Sequence, residues 1–98
     1  MSKLTADQFD VSGTQNFLAQ HPDLAHLRVR KHGALIILES GPDADPYAHA
    51  RLRRVTRQWW ALEMPTHGRW EKTPFRGLRN EVLQLLFDNF GWTLQPLG

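Results

Sequence analysis

The amino-acid sequence predicts a two-layer α+β sandwich. In it an antiparallel meander sheet of four to five strands carries a short N-terminal helix and a long C-terminal helix on one face. Three observations predict it. Two segments alternate apolar and basic residues with the period of a half-buried strand, each is followed after a short turn by a second strand-like run, and the last quarter of the chain has helical apolar spacing.

The N-terminal stretch reads as a short helix. Ser12-Gly13-Thr14-Gln15 fits a capping box, Phe17 and Leu18 dock the helix, and Pro22 lies past its end. Leu4, Phe9 and Val11 are expected to anchor the residues before it. In Ala25-His26-Leu27-Arg28-Val29-Arg30 the apolar residues then take odd positions and the basic ones even positions. His32-Gly33 supplies a turn, which sets Val29 opposite Ile36 and Leu27 opposite Leu38 on the apolar face. Gly41-Pro42-Asp43-Ala44-Asp45-Pro46 is a loop by its prolines and aspartates. A second alternating run follows, with Ala48, Ala50 and Leu52 on one side and His49, Arg51, Arg53 and Val55 on the other. Thr56-Arg57-Gln58 turns it into Trp59-Trp60-Ala61-Leu62-Glu63-Met64. That register sets Leu52 opposite Leu62, Arg51 opposite Glu63, and Arg54 opposite Trp60 in cation–π range. Arg69-Trp70-Glu71-Lys72 adds a short edge strand. Leu78, Val82, Leu83, Leu85, Leu86, Phe87 and Phe90 then form the apolar face of the C-terminal helix. Gly91 is its expected stop, and Trp92-Thr93-Leu94 is expected to be extended.

Ninety-eight residues without an internal repeat or linker suit a single domain, 1–98. The chain has no cysteine, which excludes disulfides and thiolate metal sites. The first residues lack the apolar stretch of a signal peptide, and the longest apolar run, Ala34 to Leu38, is far short of the ~20 residues of a membrane helix. Cytoplasm is the expected compartment.

Charge is unevenly placed. Residues 28–79 hold nine arginines and two lysines against five acids, while both flanking segments are net negative. Clustered cations attract anionic partners, and arginine's planar fork suits carboxylate and phosphate. On the expected registers the outer sheet face presents His26, Arg28, Arg30, His49, Arg51 and Arg53 among Leu35, Ile37, Val55 and Trp59. Trp59 and Trp60 point to opposite faces, which makes Trp59 the contact aromatic; Trp60, Trp70 and Trp92 are assigned to packing. The five histidines show no metal-ligand spacing, and no catalytic residue, metal site or cofactor is assigned. His49 and His67 with Glu63 are the residue types a metal-independent ribonuclease would use, without a fixed-spacing motif to support it.

The sequence therefore predicts a non-enzymatic binding module. Arg28, Arg30, Arg51, Arg53, Arg57 and Trp59 engage a macromolecular partner, first an acidic protein of the kind met by inhibitors, antitoxins or assembly factors. Nucleic-acid binding with little sequence preference is the alternative, and the ribonuclease is third. No membrane role is expected.

Overall fold

The computed structural model describes residues 4–95. Helix α1 (Gln8–Ala19) and a 3₁₀ turn (Pro22–Leu24) lead into strands β1 (Arg28–His32), β2 (Leu35–Ser40), β3 (Tyr47–Arg54), β4 (Trp60–Thr66) and β5 (Arg69–Gly77). Helix α2 (Arg79–Phe90) and a second 3₁₀ turn (Gly91–Leu94) follow. Each strand pairs antiparallel with its sequence neighbour, giving one meander sheet in the order β1-β2-β3-β4-β5. This is the expected two-layer α+β fold. Ile36, Leu38, Ala50, Leu52, Trp60, Leu62 and Met64 form the inner face of the sheet, packed with Val11 and Leu18 of α1 and Val82, Leu83 and Leu86 of α2.

Helix α1 starts earlier than the Ser12 capping box implies. Asp7 caps it: its carboxylate accepts the Asp10 N–H at 2.9 Å while the Asp10 carboxylate accepts the Asp7 N–H at 3.0 Å. This reciprocal pair satisfies two helix-end donors and outcompetes Ser12, which lies mid-helix. Asp10 is then buried between Arg54 (3.1 Å) and Arg79 (3.0 Å), which tie α1 to β3 and α2. The Arg79 guanidinium passes directly over Gly13, where a Cβ would collide with it. Phe9 is no anchor, being 84% exposed, and Leu4 and Leu78 are exposed as well.

The first hairpin turns at Gly33-Ala34, one residue later than expected. Gly33 takes φ +57° at the first loop position, where a two-residue loop favours glycine. The register shifts by two, so Val29 faces Leu38 and Arg30 faces Ile37. Because the shift is even, every side chain keeps its expected face. The second hairpin matches its expected register, with Leu52 opposite Leu62, Arg51 opposite Glu63, and Arg54 opposite Trp60. The Arg54 guanidinium lies 5.2 Å from the Trp60 ring centroid.

Two bulges break the alternation. In β3 Ala48 pairs with Glu39 and Ala50 with Leu38, leaving His49 as the extra residue. In β5 two extra residues lie between Lys72, opposite Glu63, and Arg76, opposite Ala61. That second bulge carries the strand on through Pro74 to Gly77, beyond Lys72 where the expected edge strand ends. A proline is tolerated there because its missing N–H lies at an edge-strand bulge, and the Thr73 hydroxyl donates to the Leu62 carbonyl at 2.9 Å. Gly91 has φ −53°, so it does not end α2 in the left-handed region. The chain tightens into a 3₁₀ turn that buries Leu94 rather than becoming extended.

Candidate functional site

Two rows of side chains cross the outer face, on the side away from the helices. One runs Arg30, Ile37, Arg51, Glu63, Lys72, and its neighbour runs His32, Leu35, Arg53, Ala61, Arg76. With Arg28 and Glu39 the face carries six cations against two carboxylates. Leu35 and Ile37 are nevertheless buried, because long arginine stems cover the apolar floor while their heads remain polar.

Glu63 organises the centre of the face. It is 3% exposed, and its two oxygens accept from different arginines: Arg51 Nε at 2.6 Å and Arg53 Nε at 2.9 Å. Burial pushes the carboxyl up, but the hydrogen bonds and charges of Arg53 and Arg51 outweigh it and hold the group below its ordinary value. The Arg51 guanidinium also lies 4.2 Å from the Trp70 ring centroid, so Trp70 packs on the outer face rather than against α2. Arg30 repeats the pattern at the edge, donating Nε to buried Glu39 at 3.1 Å. Arg28 donates to the Gly41 carbonyl and pairs with Asp43 at 3.6 Å.

No family model, no curated protein and no solved structure matches this chain.

Four of the six expected contact residues, Arg28, Arg30, Arg51 and Arg53, share the outer face and are all ion-paired. Trp59 and Val55 extend that face beyond the ends of β3 and β4, and Trp59 is 51% exposed. Arg57 lies at the tip of the same turn, where its carbonyl accepts from Arg54. Sequence reasoning missed Glu39, which its shifted first register set opposite His26, and it missed the second arginine on Glu63. The signal for the latter was present, since Arg53 is a diagonal neighbour of Glu63 once Arg51 is its direct partner. Lys72 and Arg76, also on the face, have no carboxylate within ion-pair distance among the described residues.

His49 is not on this face. The bulge turns it toward the second 3₁₀ turn, where it is 1% exposed. Its Nδ1 lies 2.9 Å from the Thr93 carbonyl, which can only accept, so Nδ1 carries the proton and donates. Nε2 then accepts from the Ser40 hydroxyl at 2.7 Å. His26 Nε2 donates to the Leu94 carbonyl at 2.6 Å. His49 thus pins the C-terminal turn to β3, while His26, which precedes β1 and is not on the outer face either, pins it to the segment entering the sheet. With Glu63 held by two arginines and His49 enclosed, the acid–base set of the ribonuclease reading is not assembled; His67 sits in the β4–β5 turn at φ +49°. Trp92 is 75% exposed rather than packed on α2. Among the described residues no three metal-ligating side chains come together, and no helix is long and apolar enough to cross a membrane.

Proposed function

We propose that this chain is a non-enzymatic binding module whose outer sheet face engages an acidic protein. One observation carries the reading: Arg30, Arg51 and Arg53 each commit Nε to a buried carboxylate. Both terminal nitrogens of Arg30 and of Arg51 have no hydrogen-bond partner among the described residues, nor has Nη1 of Arg53. A guanidinium held this way keeps donors for a partner carboxylate and has already lost much of its rotamer freedom, so less entropy is lost on binding. Lys72, Arg76 and Arg57, none of them ion-paired among the described residues, add positive charge around it. Single-stranded nucleic acid is disfavoured because its bases need an open aromatic platform. Trp70 is covered by Arg51, which leaves Trp59 alone at the margin.

The test uses Arg57→Glu combined with Arg76→Glu: both side chains are exposed, Arg76 on the face and Arg57 at its margin, and neither pairs with a carboxylate among the described residues. Affinity capture from native lysate, with and without nuclease, compares this variant with the parent chain. An acidic protein retained after nuclease and lost in the variant is the expected result. Recovery of nucleic acid alone, with binding to oligothymidylate falling with salt at a log–log slope of about −0.7 per phosphate contact, would overturn it.

A further inference from the structure

We propose that the open edge of β1 is a strand-addition site, which receives an extended segment of the acidic partner in which acidic and apolar residues alternate. The inference rests on the binding reading above and gives it a docking mode. The backbone groups of β1 alternate in direction, one residue turned to β2 and the next away from it. The Ala34 carbonyl accepts from the Arg54 N–H, so the even-numbered residues of β2 bond to β3 and its odd-numbered residues bond to β1. Arg28, Arg30 and His32, opposite Glu39, Ile37 and Leu35, therefore turn their N–H and C=O groups inward to β2. Val29 and Lys31 turn theirs outward.

Both ends of that edge are already occupied. The Gly33 carbonyl accepts from the Ala6 N–H at 2.8 Å, and the Leu27 N–H donates to the Leu24 carbonyl at 3.0 Å. Between them the two N–H and two C=O groups of Val29 and Lys31 face no backbone partner among the described residues. This window matches a short extended segment, and main-chain pairing of that kind supplies affinity while alternate side chains supply specificity. The opposite edge, β5, is bent by its bulge and carries Pro74, two devices that discourage pairing.

The side chains around the window define the ligand. A groove of about 520 Å³ runs beside the edge, lined in part by Leu18, Leu24, Leu27 and Val29. It takes the apolar residues of an added strand on the helix side. On the other side the added residues meet Arg28, Arg30 and His32, so acidic side chains fit there. The same charge excludes a second copy of this chain. Arg28-Val29-Arg30-Lys31-His32 holds three arginine and lysine cations and no acid, so pairing β1 with its own copy stacks like charges across the strands.

The probe is an acetylated, amidated seven-residue peptide with glutamate at odd positions and valine or leucine at even ones. Amide hydrogen exchange by NMR reads the result. At about ten times Kd, exchange at Val29 and Lys31 should slow roughly tenfold, with Arg30 unchanged because its N–H is already bonded to β2. N-methylating the peptide amides that face β1 should abolish binding. Lys31→Pro removes an outward N–H without breaking the β1–β2 ladder and should do the same, while Lys31→Gln should retain protection. The methylated peptide keeps the test valid if the proline variant does not fold. Peptide binding that shifts Arg53, Arg76 and Trp59 but leaves the Val29 and Lys31 amides unprotected would overturn strand addition and leave the sheet-face reading standing. Concentration-dependent protection of those amides without peptide would assign the edge to a second copy and overturn the proposal. Absence of peptide binding, while the captured acidic protein is still lost on Arg57 and Arg76 reversal, would overturn it equally.

Discussion

Glu63→Gln is the substitution that probes the organisation of the outer face most directly. It keeps the shape of the side chain and removes its charge. Two short charge-assisted hydrogen bonds are affected, each of a class worth about 1.5–3 kcal/mol. The sum overstates the loss. The Arg53 side chain is 42% exposed and regains water, Arg51 keeps its contact with Trp70, and the amide oxygen still accepts one bond. The amide NH₂, however, faces a guanidinium, donor against donor. The expected net cost at pH 7 is about 2–3 kcal/mol, or a fall in Tm of roughly 10–20 °C for a domain of this size. Thermal or urea unfolding followed by tryptophan fluorescence measures it. The pH dependence has a definite sign. The folded carboxyl titrates below its ordinary value of 4.5, so its contribution is fully present above that pH and is lost as pH falls through the lower folded value. The stability gap between parent and Glu63→Gln should therefore narrow below pH 4.5, since glutamine does not titrate. A cost under about 0.5 kcal/mol, or a gap that stays constant into acid, would refute the reasoning. For the same reason Arg51→Glu, which sets a second carboxylate beside buried Glu63, is a test of folding rather than of binding.

Two further substitutions test the packing. Leu86→Ala should cost about 2–5 kcal/mol, because Leu86 is buried between α2 and the sheet, whereas Gln84→Ala, on the exposed side of the same helix, should change stability by less than about 0.5 kcal/mol in urea titrations. Gly13→Ala would ordinarily stabilise a helix interior by about 1 kcal/mol, but here the new methyl displaces Arg79 from Asp10 and the gain should vanish. In an Arg79→Ala background the gain of about 1 kcal/mol should return, and unfolding curves of the four proteins of this cycle measure it.

How far the sequence foretold the structure depended on where local chemistry stood alone. Periodicity of two found both hairpins, and the second was in register because two independent pairs, Leu52 with Leu62 and Arg51 with Glu63, agreed on it. The first hairpin had only apolar matching to fix it. A shift of two leaves that matching equally good, and the choice was made by Gly33 adopting positive φ. His49 was placed on the wrong face because a bulge has no signature in an Ala-His-Ala stretch. Its burial is explained only by partners far along the chain, at Thr93. The early start of α1 was legible in hindsight, since Asp7 and Asp10 have the spacing of a capping box with aspartate in both roles. The extension of β5 through Pro74 was not, because what holds it is the Thr73 hydroxyl donating to the Leu62 carbonyl of the neighbouring strand β4. The basic face was found; that two buried carboxylates organise it was not.

The preference for arginine over lysine has a structural cause as well as any compositional one. Six of the nine arginines, Arg28, Arg30, Arg51, Arg53, Arg54 and Arg79, form ion pairs, and several use the guanidinium at more than one point. Arg54 donates from Nη1 to the Thr5 carbonyl and Asp10, and from Nε and Nη2 to the Arg57 carbonyl, joining the N-terminal segment, α1 and the β3–β4 turn. Arg51 pairs with Glu63 through Nε while its plane lies on Trp70. A lysine ammonium has three donors but no planar fork, so it cannot lie flat on a ring while aiming a separate Nε–H at a carboxylate. Lys31 and Lys72, by contrast, are exposed and have no carboxylate within ion-pair distance among the described residues. A purely compositional bias would supply arginine without regard to geometry, yet here the fork is placed where several partners converge. Four of the cations left without such partners among the described residues, Lys31, Arg57, Lys72 and Arg76, lie at the β1 edge, on the outer face and at its margin. Those are the places where a partner's carboxylates would complete pairs that the fold itself leaves open.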